Sequence, residues 1–361
     1  MIENSHDGSI AYVELYVTDS SAVLDYFTRA FAFTALAHAE RPDRHSVLLA
    51  SGSARLVVTE PRGGGVVAQW LAVHGDGVFN IALYRSDLDR VLDRARQARV
   101  PVLGPSLDTA TETLCAHIGG FGDVWHTLLP IQLDTDLPPG FNWRPQHTIS
   151  SPAPPTLKLI DHIAICLPAG ELESTVATYQ SIFDMQIIRS ERTELGDTAT
   201  NSHVLRDATG LTFVMLEPDP TRPGGQIDQF LAKNRAAGVQ HLAFLTDDIV
   251  GAVQGHSARG VGFAPAPPPA YYRALAERVA DAPELCRRLA TLEATGVLLD
   301  RDDDGAFYQI FTSSPHERDT LFYELVERRG SKGFGTNNIV ALFQAREADL
   351  LARSAPVDAG R

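Results

Sequence analysis

The two halves of this 361-residue chain repeat one another, and the repeat restricts the folds that the chain can adopt. Two strand-like segments open the halves, IAYVELYV from Ile10 and IDHIAICL from Ile160. Further on, GVFNIALYRSDLDRVLDRARQARV from Gly77 matches GVQHLAFLTDDIVGAVQGHSARGV from Gly238 in pattern and spacing. Each of these passes from a strand through an acidic start into an amphipathic helix, and the strand-like DVWHTLLPI and RDTLFYELV follow later. We therefore predict a duplicated unit of one strand, one helix and further strands.

A proline-rich stretch separates the two halves. Residues 137–155 read LPPGFNWRPQHTISSPAPP, and repeated prolines with Ser, Thr and Gly favour an extended connector. The predicted organisation is an N-terminal domain without a metal site over 1–136, a linker over 137–156, a C-terminal catalytic domain over 157–353 and a tail over 354–361.

Hydrophobic periodicity predicts seven strands and five helices in the second half. The strands are expected near 159–167, 186–191, 202–206, 211–217, 239–246, 305–312 and 319–328, and the helices near 170–183, 225–235, 248–259, 283–294 and 337–352. The prolines at 265–269 predict a stiff loop, anchored by Tyr271 and Tyr272. The acidic residues at 300–304 predict a solvated turn.

Charge and composition exclude several classes of protein. The chain has 31 Lys and Arg against 45 Asp and Glu, a net charge of −14, which disfavours nucleic acid as a partner. The apolar stretches are strand-sized, and the N-terminus MIENSHDGSIAY lacks the features of a signal peptide, so we expect a cytoplasmic protein without a membrane span. Three cysteines without CxxC spacing indicate neither a disulfide scaffold nor a cysteine-rich zinc site.

Three residues that can bind a metal stand in otherwise apolar strand rows of the second half. Because side chains alternate along a strand, His162 shares a face with apolar neighbours, and so do His241 and Glu324 on their strands. Two imidazoles and one carboxylate on three strands of one sheet form a facial triad. Such a triad leaves adjacent coordination positions open for substrate and dioxygen, which suits non-haem iron(II).

The first half lacks these ligands at the repeat-equivalent positions. Tyr12 stands where His162 stands, Asn80 where His241 stands, and Ile131 about where the glutamate stands. We therefore expect only the second half to bind metal. Taken singly, each residue has another interpretation: a lone histidine on an apolar strand face is more often a hydrogen-bonded core residue, and the glutamate alone would usually be a strand-end charge reaching solvent.

Several segments, in order along the chain, resemble the 4-hydroxyphenylpyruvate dioxygenase family. They are IDHIAICL, GQIDQFL, GVQHLAFL, AYYRAL, YQIFT, LFYELVER and GFGTNNIVALFQA. The resemblance implies an α+β fold of two tandem βαβββ vicinal-oxygen-chelate modules, each half an open barrel, with iron(II) in the C-terminal half and a closing C-terminal helix. It also implies oxidative decarboxylation of an aryl 2-oxo acid with O2, in which His162, His241 and Glu324 hold the metal and no separate acid or base residue acts.

Three positions of the resemblance bear on the product. Where family members that form homogentisate carry Pro and Asn before GQIEEFL, this chain carries Val214 and Leu216, and where they carry the Phe of GNF it carries Ile339. Members that form 4-hydroxymandelate also have aliphatic residues at the last two positions. The resemblance thus favours benzylic hydroxylation of 4-hydroxyphenylpyruvate to 4-hydroxymandelate with release of CO2.

Four further residues are carried over as substrate-binding positions. Ser202, Gln226 and Gln309 match polar residues around the substrate, and Phe334 matches an aromatic that closes the site. Each also has a structural interpretation: a strand hydroxyl, a polar residue at a helix start, an amide at a strand edge and a packing aromatic.

Alternatives remain open at this stage. They are homogentisate formation, an oxygenase for another aryl 2-oxo acid, and a ligand-binding protein of similar fold without enzymatic activity. The first half, without metal ligands, is suited to subunit contacts, as in a homodimer.

Overall fold

The computed structural model of the chain describes residues 8–108, 113–131, 137–143, 156–335 and 337–341. The strands of the first half are β1 Ile10–Tyr16, β2 Thr34–Arg41, β3 Arg44–Ser51, β4 Ala54–Pro61, β5 Gly77–Tyr84, β6 Val102–Asp108, β7 Thr113–Gly119, β8 Trp125–Leu129 and β9 Asn142–Trp143. Those of the second half are β10 Leu159–Cys166, β11 Gln186–Leu195, β12 Thr198–Arg206, β13 Thr212–Pro218, β14 Gly238–Leu245, β15 Leu298–Arg301, β16 Ala306–Phe311 and β17 Phe322–Arg329.

Helices lie between the strands in both halves. The first half contains α1 Ser20–Asp25, which continues through a wider turn over Tyr26–Ala30, then α2 Val66–His74 and α3 Leu88–Gln97. The second half contains α4 Leu172–Phe183, α5 Gln226–Asn234, α6 Ile249–Ala258, α7 Pro269–Arg278, α8 Pro283–Cys286 and α9 Leu289–Thr295. Within the described residues, no helix is long and apolar enough to span a membrane.

Each half forms one curled sheet of the same plan. The first runs β6-β7-β8-β5-β1-β4-β3-β2-β9 and the second β11-β12-β13-β10-β14-β17-β16-β15. If the first order is read in reverse, its strands correspond one by one to those of the second, so that β1 is the counterpart of β10 and β5 that of β14. The exception is the short β9, which pairs with β2 at the edge of the first sheet. The predicted fold of tandem modules is confirmed, and each half itself consists of two βαβββ units: β1–β4 and β5–β8 in the first, β10–β13 and β14–β17 in the second.

Alternation along the central strands separates a packed face from a concave one. On β10, Ile163 and Ile165 are fully buried in the main core, while His162 points the other way. On β1, Val13 and Leu15 belong to the same core. Burying these rows removes apolar surface from water and fixes the register, because a shift by one residue would exchange the two faces.

Aromatic rings join the two halves in one core. Two first-half rings approach rings of the second half: Phe27, in the wide turn after α1, lies 5.1 Å from Tyr323, and Phe33, just before β2, lies 5.8 Å from Phe244. Both contacts are edge-to-face, the arrangement that aromatic rings prefer. The modules therefore pack through the outer faces of their sheets, which leaves the concave faces for other uses.

Two predictions for the second half are refined by the structure. The proline stretch is a loop up to Pro268, and α7 begins at Pro269, whose missing N–H costs nothing in the first helical turn, so Tyr271 and Tyr272 lie on a helix. The acidic run contributes to a strand as well as to the exposed turn that follows it. Its first two residues belong to β15, and Asp302 accepts hydrogen bonds from Ser331 Oγ at 2.6 Å and from Gly333 N at 2.9 Å.

The domain boundaries stay predictions. The linker stretch 144–155 lies outside the described residues, as does the tail at 354–361. Of the predicted last helix at 337–352, the structure describes 337–341, which is helical, and the remainder lies outside the described residues.

Candidate metal centre

The structure brings the three predicted ligands together on the concave face of the second sheet. His162 on β10 pairs across the sheet with Ala243, which in turn pairs with Glu324 on β17, and His241 lies on β14 between those strands. Each residue offers one ligand atom, and the three atoms lie within 4.8 Å of one another. Glu324 Oε2 lies 3.2 Å from His162 Nε2 and 3.4 Å from His241 Nε2.

Burial and neighbouring charges set the protonation of the triad. Burial raises the pKa of Glu324, but hydrogen bonds from the two histidines outweigh it and hold that pKa below its usual range. Burial lowers the pKa of His241. The pKa of His162 is raised, because its hydrogen bonds to Asp161 and Glu324 outweigh burial. Two imidazole nitrogens and one carboxylate converging at one buried point fit a divalent metal of the iron group, which would take the place of the shared protons.

A charged network that the sequence analysis missed orients His162. The Nδ1 atom of His162 donates to Asp161 Oδ1 at 2.8 Å. Arg328 holds the same carboxylate with two hydrogen bonds, from Nη2 to Oδ1 at 2.7 Å and from Nε to Oδ2 at 2.8 Å. These bonds outweigh burial and keep the pKa of Asp161 low. The network fixes the imidazole so that Nε2 faces the metal position, an arrangement common behind metal-binding histidines.

Arg328 also connects the triad to the C-terminal segment. Its guanidinium lies 4.8 Å from the ring centroid of Phe334 and donates to Gly333 O at 2.6 Å. The Phe334 ring in turn lies edge-on to the His162 ring, with 5.3 Å between centroids. The aromatic residue therefore covers one side of the triad, as the resemblance implies.

Three predicted substrate positions share the concave face with the triad. Val214 on β13 pairs with Ala164, two residues after His162, and Leu216 pairs with Cys166. Ser202 on β12 pairs with Leu216. Because paired residues in a sheet point to the same face, these side chains line one wall beside the metal position. The wall is apolar except for the serine hydroxyl.

Gln309 on β16 is buried on the opposite wall. It pairs with Val326, two residues beyond Glu324, and its side-chain oxygen Oε1 is buried without a hydrogen-bond partner. A buried amide oxygen without a donor is costly, and a polar substrate group could supply one. A β-carbon at Gly335 would lie 1.9 Å from that oxygen, so the glycine allows the C-terminal segment to approach.

The two remaining substrate positions lie less centrally. Gln226 begins α5 and its side chain is exposed, so the structure does not place it in the buried wall with Gln309. Ile339 lies on the short described helical stretch at 337–341 and is half-buried. The next residue toward the N-terminus, Asn338, is fully buried and accepts a hydrogen bond from Tyr271 on α7 at 2.8 Å. This bond ties the C-terminal segment to the barrel.

The first half differs from one sequence expectation. Tyr12 and Asn80 occupy the positions equivalent to the two histidines, as predicted, but the counterpart of Glu324 is Thr127 and not Ile131. On β8, Thr127 pairs with Ala82, as the glutamate pairs with Ala243. Ile131 follows the end of β8 and lines a groove between the halves. Strand pairing sets the register, so the residue that pairs with Ala82 is the counterpart of the one that pairs with Ala243.

Comparison with known proteins places the chain among dioxygenases. A model of the glyoxalase/bleomycin resistance protein/dioxygenase superfamily matches residues 159–291. A Neurospora crassa protein named 4-hydroxyphenylpyruvate dioxygenase is 32% identical over 305 residues, covering 78% of this chain and 72% of the relative. The chain belongs to the 4-hydroxyphenylpyruvate dioxygenase family. The Sus scrofa member is 30% identical, with 77% of this chain and 74% of the relative covered.

Solved structures of this dioxygenase family agree with the fold. The chain superimposes on a triple mutant of 4-hydroxymandelate synthase from Streptomyces coelicolor with a TM-score of 0.84 and 40% sequence identity, covering 95% of this chain and 99% of that one. Members of the family are non-haem iron dioxygenases, and this chain is an enzyme of that class.

Proposed function

We propose that this enzyme converts 4-hydroxyphenylpyruvate and O2 to 4-hydroxymandelate and CO2, with iron(II) held by His162, His241 and Glu324. The atoms balance, since both oxygens of O2 enter products: one in the new carboxylate and one in the benzylic hydroxyl. Iron(II) would supply the chemistry that activates O2 against the 2-oxo acid. The predicted division of the chain accompanies this proposal, with the metal site in 157–353 and none in 1–136.

The residues of the chain would bind and orient the substrate. The Asp161–Arg328 pair holds the His162 imidazole in place. We assign Gln309, whose buried Oε1 has no partner, to accept a hydrogen bond from the phenol end of the substrate. Phe334, beside His162, would exclude water from the reacting end. Ser202 is proposed as a further polar contact, and Gln226 as a contact at the entrance.

The choice of product rests on one observation: the wall beside the metal position is aliphatic at Val214 and Leu216. An aliphatic wall gives the ring of the substrate no hydrogen bond there. Together with Ile339 in place of a ring-facing phenylalanine, it would leave the benzylic carbon, and not the ring, nearest the reacting oxygen. The 40% identity to a 4-hydroxymandelate synthase variant supports the same product.

Proton NMR of the product tests the proposal. The purified enzyme is supplied with 4-hydroxyphenylpyruvate, iron(II), ascorbate and air; mass alone is insufficient, because 4-hydroxymandelate and homogentisate are isomers. We expect a symmetric para-substituted ring and a carbinol proton. A trisubstituted ring with a methylene signal would replace the proposal with homogentisate formation, the activity for which the Neurospora crassa and Sus scrofa relatives are named. Iron-loaded protein without turnover would indicate another aryl 2-oxo acid.

A further inference from the structure

The first sheet encloses a cavity on its concave face, at the place where the second sheet carries the triad. Its volume is about 570 Å³. Tyr12, Asn80 and Thr127, which replace the three ligands, all line it. Cavities of 300–1,000 Å³ are the usual size of small-molecule sites. The first sheet therefore has an open space at the place where the second sheet has the triad.

The floor of the cavity is a hydrogen-bonded network around Glu14. Thr59 Oγ1 donates to Glu14 Oε1 at 2.8 Å, and Asn80 Nδ2 lies 3.4 Å from Oε2. Thr127 Oγ1 donates to the Asn80 side-chain oxygen at 3.1 Å and lies 3.0 Å from His117 Nδ1. Burial raises the pKa of Glu14 despite these bonds. The network holds a polar floor in fixed positions, open to the cavity.

The walls combine aromatic rings with two guanidinium groups. Tyr16 and Phe79 stack with 4.1 Å between ring centroids, and Trp125 also lines the cavity. Arg41 and Arg44 line it too, and their charges oppose the effect of burial on the pKa of Glu14. Arg44 has an acidic neighbour in Asp43, at 3.8 Å, which is beyond hydrogen-bond distance.

The rim of the cavity is apolar and exposed. Val66 is 56% exposed, Leu103 is 56% exposed and Leu107 is 60% exposed, and all three line the cavity. Large exposed aliphatic side chains grouped around a concave site with a polar floor are typical of ligand binding.

We propose that this cavity binds a small aromatic carboxylic acid, at a second site that holds no metal. The ring would lie against Tyr16, Phe79 and the rim, and the carboxylate would pair with Arg44 and Arg41. A hydroxyl at the far end of the ring would bond to the Glu14–Asn80 floor. The two guanidinium groups favour an anion over an amine. This site is independent of the triad, so the inference does not rest on the proposed function.

Isothermal titration of the full-length, iron-loaded enzyme tests this site. The probe is 4-hydroxyphenylacetate, which lacks the 2-oxo group needed to chelate a metal, and tyramine offers the same ring with a positive charge. We expect the acid to bind, and Leu107→Glu and Arg44→Gln each to raise its Kd by at least ~10-fold. The matched control is Ile188→Glu, an exposed aliphatic of the second sheet at 45% exposure, which should change the Kd by less than ~2-fold.

Four outcomes of the titration would overturn the inference. They are no binding of the acid, tighter binding of tyramine than of the acid, a Kd that neither variant changes, and an equal loss of affinity in the Ile188 control. Gel filtration of the same variants separates ligand binding from subunit contact. If Leu107→Glu dissociates an oligomer and leaves the Kd for the acid unchanged, the rim is an interface between copies and the proposal fails.

Discussion

Replacing Asp161 with asparagine would weaken metal binding without removing a metal ligand. The carboxylate of Asp161 accepts one hydrogen bond from His162 and two from Arg328. An asparagine has the same shape, but it loses the charge, and its NH2 group would face a guanidinium N–H. Loss of such an outer partner typically costs 10–100-fold in metal affinity, or about 1.4–2.7 kcal/mol.

The affinity is measured directly, by anaerobic competition for iron(II) against a chromophoric chelator. This readout does not depend on turnover, so it tests the orientation of His162 separately from catalysis. Asp281→Asn is the matched control, because Asp281 pairs with Arg301 at 2.7 Å and both side chains are largely exposed. We expect the control to bind iron like the parent enzyme, since exposed ion pairs contribute little.

Arg328→Gln tests whether the Asp161–Arg328 pair supports folding stability as well as metal binding. This change leaves the buried Asp161 carboxylate with its histidine partner alone, so we expect a loss of folding stability as well as of metal affinity. Iron affinity within twofold of the parent in Asp161→Asn would refute the reasoning, because the hydrogen bond would then not orient the ligand. Equal weakening in Asp281→Asn would also refute it.

Three further predictions follow from the structure. The double variant Leu216→Asn with Ile339→Phe should raise the share of homogentisate in the product NMR spectrum; an unchanged ratio would contradict the proposed role of the aliphatic wall. Burial lowers the pKa of His126 to about 4 from 6.5, so the unfolded chain binds the proton first and the folded state loses stability as pH falls from 6.5 to 4, by up to about 3 kcal/mol. Urea unfolding across that range should show a smaller pH dependence in His126→Gln, and equal slopes would refute this. Gly335→Ala should destabilise the enzyme by more than Gly210→Ala: both glycines have positive φ, but only at Gly335 would the new β-carbon meet a buried glutamine amide. Equal unfolding free energies for these two variants would contradict that packing argument.

The sequence was sufficient to predict on which face of its strand a side chain lies. Period-two alternation placed His162, His241 and Glu324 on one face, and the structure brings their ligand atoms together. It was insufficient to predict how strands and loops that are distant in the chain pair with one another. The first-half residue equivalent to Glu324 is Thr127 and not Ile131, because strand pairing sets the register.

The chain pattern by itself therefore determined the duplicated fold, the faces of its strands and the residue types of the candidate metal centre, since these depend on local alternation and on repetition. Tertiary structure alone decided how Arg328 reaches Asp161, 167 positions away, and how Tyr271 holds Asn338. It also decided that the first barrel stays open around Glu14. Such features depend on how separate elements pack in space, and the order of residues along one strand does not predict that packing.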